Sequence, residues 1–215
     1  MKHKALKTIN QNTSLGIFVI WLFNTTALLG IGLGYQDWFM GKTLLNMGIS
    51  LFFLALLLPI KTLKNWSLFA ACFFIGMASE WIGVHTGFLF GNYYYGENLG
   101  FKIFEVPFFI GINWAILSIA SAQTLSPYIK NKYGLALLAA LLMVVLDVFM
   151  EMAAPGLDFW YFSAGVAPFK NYLTWFIVAL LIQLFIIPKI KENNSRFATH
   201  LMLSQMVFFI GYLLL

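Results

Sequence analysis

The chain has 215 residues, of which 61% are hydrophobic and only 10% are charged, with a formal net charge of +5 and a mean hydropathy of +0.83. Soluble domains usually carry about 25% charged and about 45–50% apolar residues, so this composition excludes a water-facing surface and predicts an integral membrane protein. The length suits one compact bundle, and we expect a single transmembrane domain over residues 1–215.

Seven stretches of the chain are long and apolar enough to cross about 30 Å of hydrocarbon as helices. Strands are excluded because open sheet edges leave backbone groups unpaired in lipid. The sequence therefore predicts an all-α fold, a polytopic bundle of about seven transmembrane helices. The predicted spans cover residues 14–35, 43–60, 66–85, 105–126, 133–154, 171–188 and 197–215.

Lysine and arginine predict the orientation of the bundle, since short cytoplasmic loops carry an excess of both. Basic residues that precede the first span or lie in the second, fourth and sixth connections are Lys2, Lys4, Lys7, Lys61, Lys64, Lys130, Lys132, Lys189, Lys191 and Arg196. The opposite side carries only Lys42, Lys102 and Lys170. We expect a cytoplasmic N-terminus, an outer C-terminus and a location in the inner (cytoplasmic) membrane of a bacterial or archaeal cell. Basic loops facing an anionic leaflet account for the net charge without nucleic acid.

Three acidic residues lie at membrane depth: Glu80 in the third predicted span, and Asp147 and Glu151 in the fifth. A charge at that depth costs at least about 2.5–3.5 kcal/mol and usually marks a functional site. Asp147 and Glu151 are one turn apart and therefore share a helix face. Two carboxyl groups so close in an apolar setting are expected to keep one proton between them near neutral pH. The alternative is that the acids only form hydrogen bonds between helices.

Two outer connections are rich in glycine and aromatic residues, and they cover residues 85–109 and 155–175. They either form a lid over the acids or an ordinary interfacial cap. Glu105 precedes Pro107 at the start of the fourth predicted span, where it would complement the N-terminal dipole of that helix.

Several classes of site are excluded by missing residues. Three histidines are too few for a multi-histidine iron site, and the last predicted span has no lysine for a retinal Schiff base. Neither a phosphate-binding glycine loop nor an aspartate-rich diphosphate motif occurs. We therefore expect neither a metal nor an organic cofactor, and a chemistry based on carboxylic acids, His85, aromatic rings and water.

Several motifs resemble those of the integral-membrane carotenoid-biosynthesis protein family. TGFLFGNYYYG (Thr86–Gly96) is similar to its TG-x-x-FG-x-Y-x-Y signature, EVPFFIGINW (Glu105–Trp114) to its VP…W element, and Glu80 to the acid that precedes the signature. The segment 146–175 resembles its D-x-x-x-[DE]…W…G-x-x-x-P-x-x-N-x-x-x-W block. The matching positions there are Asp147, Glu151, Trp160, Gly165, Pro168, Asn171 and Trp175. The resemblance covers about residues 79–175.

This resemblance implies a carotenoid 1,2-hydratase, a hydro-lyase that adds water across the terminal double bond of an acyclic carotenoid end and gives a tertiary hydroxyl. Lycopene, γ-carotene and the C50 precursor of bacterioruberin are substrates in the family, and neither a metal nor an organic cofactor is implied. The partners it implies are membrane lipid, a hydrophobic carotenoid and water, and it leaves room for contact with other enzymes of the pathway.

Hydration of an alkene begins with proton transfer to carbon, so a protonated carboxyl group must face the double bond. We expect Asp147 and Glu151 to be the acid and its coupled partner, and Glu80 to be the water activator or a second acid. Aromatic faces would stabilise the cation. Candidate substrate-binding residues are His85, Tyr93, Tyr95, Trp81, Asn113, Trp114, Trp160, Asn171 and Trp175. A proton-coupled transporter that uses the three acids as a relay and a non-catalytic carotenoid-binding subunit are the alternatives.

Overall fold

A computed structural model of the chain describes residues 2–57, 63–190 and 194–215, and the side chains of residues 11–57, 65–190 and 194–215. Helices dominate the described residues, and the predicted all-α, polytopic bundle is confirmed. The helices are α1 (Lys2–Gly32), the short α2 (Gln36–Met40), α3 (Thr43–Leu57), α4 (Leu63–Thr86), α5 (Phe108–Leu125), α6 (Lys132–Ala153), α7 (Phe169–Ile186) and α8 (Ser195–Leu213). Lys61 and Lys191, part of the predicted charge asymmetry, lie outside the described residues.

Each of the seven predicted spans contains a helix, but one of them differs from the rest in composition. Six segments of the described chain are long and apolar enough to cross a membrane: Gln11–Gly32, Gln36–Leu57, Asn65–Thr86, Phe108–Leu125, Lys132–Ala153 and Phe169–Ile186. The predicted seventh span corresponds to α8, which is not among these six. Helix α8 nevertheless runs parallel to α1 over its whole length, because Asn194 Nδ2 donates to Thr13 Oγ1 at one end while Leu215 packs on Gly32 at the other.

The start of the fourth span was predicted wrongly. Residues 102–107 form a small hairpin before α5, in which β2 (Lys102–Ile103) pairs with β3 (Val106–Pro107). Phe104 and Glu105 make its turn with left-handed backbone, at φ of 48° and 66°. Glu105 therefore lies outside the helix, and its Oε2 is 3.5 Å from Nε2 of His85.

The third and fifth connections meet over the same end of the bundle. In the third, β1 (Tyr93–Tyr95) pairs antiparallel with β4 (Trp160–Phe162) in the fifth. A single 3-10 turn (Pro155–Leu157) joins α6 to β4. These two connections therefore form one lid rather than two independent caps.

Helix α5 is the central element of the bundle, since it packs against α3, α4, α6, α7 and α8. Close approach of α4 depends on small residues, as is common between membrane helices. A methyl group at Gly76 of α4 would lie 2.6 Å from Cβ of Trp114 in α5, and one at Gly111 would lie 2.6 Å from Met77. The position of Trp114 thus depends on the close contact between Gly76 and its side chain.

The orientation can be tested with alkaline phosphatase fusions, because this reporter needs the disulfides that form outside the cytoplasm. We expect activity for a fusion after Leu215 and none for a fusion in the connection between α5 and α6. The same two sites fused to green fluorescent protein serve as the control and should give the reverse pattern. Activity at the α5–α6 connection would contradict a cytoplasmic N-terminus.

Gly76→Ala should destabilise the bundle by about 1–3 kcal/mol, because the added methyl group forces Trp114 to move. Gly48→Ala in α3 is the matched control, since a methyl group there meets no atom within 4 Å. Alanine should be neutral at this position or stabilise the helix by about 0.5–1 kcal/mol. Thermal unfolding in detergent measures both, and equal effects would contradict tight α4–α5 packing at Gly76.

Candidate active site

Glu80 accepts hydrogen bonds from three side chains although it lies within an apolar helix, α4. Tyr93 and Tyr95 donate through their hydroxyl groups to its Oε2, at 2.5 and 2.8 Å. Nε1 of Trp114 donates to Oε1 at 2.8 Å. Only 4% of Glu80 is exposed. Both oxygens of this carboxyl group are therefore occupied by donors from the lid and from α5.

Glu151 has a comparable set of donors on the neighbouring helix, α6. Nε1 of Trp160 in β4 donates to its Oε2 at 2.6 Å, and Nδ2 of Asn171 in α7 donates to Oε1 at 2.7 Å. The same Asn171 nitrogen lies 3.5 Å from Oδ2 of Asp147. Among the described residues Oδ1 of Asp147 has no hydrogen-bond partner. Asn171 thus links the two carboxyl groups that the sequence places on one helix face.

The alternation of β1 and β4 explains why Tyr93, Tyr95 and Trp160 reach the acids. Residues two apart in a strand point to the same face. Tyr95 stands opposite Trp160 in the register, and both are buried, as is Tyr93. Tyr94, between the two inward tyrosines, is 58% exposed and stacks on Tyr161 outside. The lid therefore supplies its hydrogen-bond donors from one face only.

Burial raises the pKa of the Tyr93 and Tyr95 phenols, which lie outside the membrane spans, well above the ordinary value, and the Glu80 carboxylate raises it further. A phenol with a raised pKa stays protonated at physiological pH and keeps its hydrogen for donation. Both tyrosines are therefore neutral donors to Glu80.

Two tryptophans form the floor of the site between α5 and α7. Trp114 and Trp175 stack with ring centroids 3.9 Å apart and planes 16° from parallel. Trp114 is completely buried and Trp175 nearly so. The stack fixes the Trp114 indole that donates to Glu80.

A small cavity of about 20 Å³ lies between Glu80 and Glu151. A cavity needs about 10–15 Å³ to hold a water, so this one has the size of a single water molecule. Its other polar lining groups are Asn113, Asn171, Trp114, Trp160, Trp175, Tyr93 and Tyr95. Asp147 is fully buried and is not on this wall; it stands behind Asn171 and Glu151.

A much larger chamber of about 530 Å³ adjoins the small cavity. It lies between α1, α2, α3, α5, α6 and α8, and its walls are mainly apolar. Four residues line both spaces: Ile110, Asn113, Met150 and Trp160. The two acids that face the small cavity are thus one side chain away from a space suited to hydrocarbon.

The model of one protein family, described as carotenoid biosynthesis protein, matches residues 40–215. The chain belongs to this family. Searches of curated proteins and of solved structures found no significant match. The family match confirms the resemblance in the motifs, and it extends beyond residues 79–175 on both sides.

Most motif residues of the family signature meet at this site, but two of the sequence-predicted candidates do not. Trp81 is 47% exposed and His85 is also on the surface, where its Nδ1 lies 2.9 Å from the carbonyl oxygen of Trp81. They lie one turn apart on a face of α4 that differs from that of Glu80. The structure therefore keeps both outside the cavity, and the prediction that they bind substrate finds no geometric support.

Four apolar wall residues of the small cavity were not among the predicted site residues: Phe90, Phe162, Ile110 and Met150. Phe90 could have been found, since it belongs to the TG-x-x-FG part of the family signature. Phe162 carries a weaker signal: it stands two residues after Trp160 and therefore shares its face if the segment is a strand. Met150 adjoins Glu151, but nothing in the local sequence distinguishes it from other apolar residues of the helix.

Tyr95→Phe should destabilise the protein by about 1–3 kcal/mol, because it removes a donor from the buried Glu80 carboxyl group. Tyr94→Phe is the matched control: its exposed side chain should make the change neutral within about 0.5 kcal/mol. Thermal unfolding of both purified variants in detergent checks the difference. Equal unfolding temperatures would contradict a structural role for the Tyr95 hydroxyl group.

Proposed function

We propose that the protein is a carotenoid 1,2-hydratase that protonates the terminal double bond of an acyclic carotenoid and adds water to it. One observation carries the proposal: a water-sized cavity between Glu80 and Glu151 shares a wall with a large apolar chamber. Hydration of a hydrocarbon needs these two environments side by side. The proposed substrate is an acyclic end of the lycopene or γ-carotene type.

The reaction needs one carboxyl proton and one carboxylate at the double bond. The proton forms a new C–H bond at C2 with the π electrons and leaves positive charge on the tertiary C1. The oxygen of water then bonds to C1 and loses a proton to a carboxylate, so the net change is the addition of one water. Glu80 and Glu151 are the acids that face the cavity and are proposed for these two steps.

Glu151 is proposed as the proton donor and Asp147 as the residue that supports it. Asn171 touches both carboxyl groups, and Oδ1 of Asp147 lacks a partner among the described residues. A buried carboxyl group that receives one long hydrogen bond is better suited to hold a proton than a negative charge. Asp147 is thus proposed to hold a proton behind Glu151 and to keep Glu151 protonated, which makes it a positioning residue. The proton that Glu80 takes from water returns to Glu151 through the next water molecule in the small cavity, and this restores both groups.

Glu80 is proposed as the base that takes the proton from water. Its three donors, Tyr93, Tyr95 and Trp114, all stabilise a negative charge on it. Asn113 lies on the wall common to both spaces and is proposed to orient the water. The indole of Trp160 on the same wall is proposed to stabilise the cation.

The relay alternative has one observation in its favour. Beneath Asp147, Nε2 of the fully buried Gln183 donates to the carbonyl oxygen of Ser118 and to Oγ of Ser121, and lies 3.5 Å from Sδ of Met143. Met143 is one turn from Asp147 along α6. Polar groups thus continue from the acids towards the predicted cytoplasmic side.

The proposed setting is the cytoplasmic membrane of a bacterial or archaeal cell, with the acids in the outer half of the bilayer. The proposed partners are lipid, the carotenoid and water, with no nucleic acid. Contact with other enzymes of the pathway would allow direct transfer of a substrate that does not dissolve in water.

Expression in bacteria that make lycopene or γ-carotene tests the function. We expect a pigment heavier by one water, identified by chromatography and mass spectrometry. Glu151→Gln and Glu80→Gln should abolish it, and Asp147→Asn should lower its yield, because these changes remove the donor, the base and the proton reserve. Glu97→Gln, on the exposed side of the lid, is the control that should keep the product.

Unchanged pigments with several acyclic substrates, at good expression, would refute the hydratase. Proton uptake into proteoliposomes that stops in Glu151→Gln would then favour the relay. Pigment bound to the purified protein, without product and without proton uptake, would favour a carotenoid-binding subunit.

A further inference from the structure

The large chamber is shorter than the membrane is thick. Its lining on α1 extends from Leu22 to Ile31. At 1.5 Å per residue this corresponds to a height of about 14 Å. The hydrocarbon core of a bilayer measures about 30 Å. A linear hydrocarbon longer than this height does not fit inside the chamber, so part of the hydrocarbon must extend out of it.

The exposed part of the chamber wall lies between α1 and the α2–α3 segment. Leu22 on α1, Trp38 on α2 and Leu45 on α3 line the chamber and are 47%, 60% and 52% exposed. The inner wall is closed, since Ile116 of α5 and Met150 of α6 are almost completely buried. The chamber thus opens sideways, at a depth where lipid surrounds the protein.

Hydrogen bonds between the lid and helices α2 and α3 hold the outer end of the chamber closed. Nδ2 of Asn98 in the lid donates to Oγ1 of Thr43 and to the carbonyl oxygen of Leu157. Nε2 of Gln36 at the start of α2 donates to the carbonyl oxygen of Gly156. These bonds tie the lid to α2 and α3, so the sideways gap is the more open route.

One side-chain hydrogen bond crosses this gap. Nδ2 of Asn46 in α3 donates to Oδ1 of Asn24 in α1, at 3.3 Å. Asn24 lies between Leu22 and Thr26, and Asn46 follows Leu45, so the bond joins the two edges of the opening. Its length, beyond the usual 2.7–3.2 Å for N–H···O, indicates a weak bond.

The lining also indicates the chemistry of the occupant. Lys42, at the rim, is the one charged residue among the described residues that line the chamber. The other polar groups are uncharged, and the far end of the space borders the wall of the acid cavity. An ion or a polar metabolite would find no compensating charge inside, whereas an uncharged hydrocarbon chain fits both the walls and the membrane depth.

We propose that the gap between residues 22–26 of α1 and residues 38–46 of α2 and α3 is a lateral portal for a linear isoprenoid hydrocarbon. One end of the chain passes from lipid into the chamber while the rest stays in the bilayer. The bond between Asn46 and Asn24 closes the portal and breaks when the chain passes. The identity of the occupant rests on the proposed function, whereas the route rests on the geometry of the chamber.

Cysteine labelling in a Cys72→Ala background tests the route. Thr26→Cys places a thiol at the exposed edge of the portal, and Leu29→Cys is the control, since Leu29 is 63% exposed on the same helix but does not line the chamber. In detergent, an acyclic polyene should slow maleimide labelling at position 26 and leave it unchanged at position 29. A bulky maleimide at position 26 should block polyene binding, measured by quenching of tryptophan fluorescence.

Equal protection at both positions, or full polyene binding after labelling at position 26, would overturn the portal. These readouts do not depend on turnover, so failure of the two proposals can be told apart. Protection at position 26 in a protein that adds no water leaves the portal standing and refutes the hydratase. Hydration that continues in the protein labelled at position 26 refutes the portal and leaves the hydratase standing.

Asn46→Leu tests the closing bond without a label. Loss of the bond should raise the rate of polyene binding and the affinity and leave the dissociation rate nearly unchanged, because the bond exists only in the empty protein and the bound chain keeps the portal open. An unchanged binding rate would contradict the role of this bond.

Discussion

Carboxyl groups buried in a membrane protein need hydrogen-bond donors, and the architecture of this bundle follows from that need. An unpaired charge in a low-dielectric setting costs several kcal/mol. The donors to Glu80 come from β1 and α5, and those to Glu151 come from β4 and α7. Each acid thus depends on one element of the lid and one neighbouring helix. The bundle and the lid must assemble together for either acid to be tolerated.

The pairing of β1 with β4 brings several of these hydrogen-bond donors to the acids. It joins two connections that are far apart in sequence and turns Tyr93, Tyr95 and Trp160 towards the acids. Outside, Oδ2 of Asp158 accepts from the backbone N–H of Glu97 and so ties the lid strands together a second time. The backbone of Asp158 is left-handed, at φ of 54°, which directs its side chain towards that neighbouring connection.

Much of this arrangement was predictable, because hydropathy and residue spacing are local properties of the chain. The helices and the shared face of Asp147 and Glu151 follow from them directly. The strand pairing does not, since it joins residues of two different connections. Local sequence equally fails to indicate that Phe104 and Glu105 turn a hairpin, because neither residue type favours left-handed backbone. The position of His85 away from the cavity was predictable, since five residues along a helix place it about 140° around the axis from Glu80. The chamber between α1, α3, α5 and α8 is a property of packing alone.

The separation between chamber and acids rests on a thin wall, and this geometry limits what the site can do. Met150 and Ile110 present apolar surface to both sides, while Trp160 donates to Glu151 and also faces the chamber. The chamber adjoins the acid cavity at the wall that both spaces share, so we expect the proposed hydrocarbon to reach the acids with one end while the rest extends through the lateral portal. The small cavity admits about one water, so in the proposed reaction this water is the nucleophile nearest to the cation. For the proposed hydratase, this geometry favours reaction at the terminus of a chain over reaction at its interior double bonds.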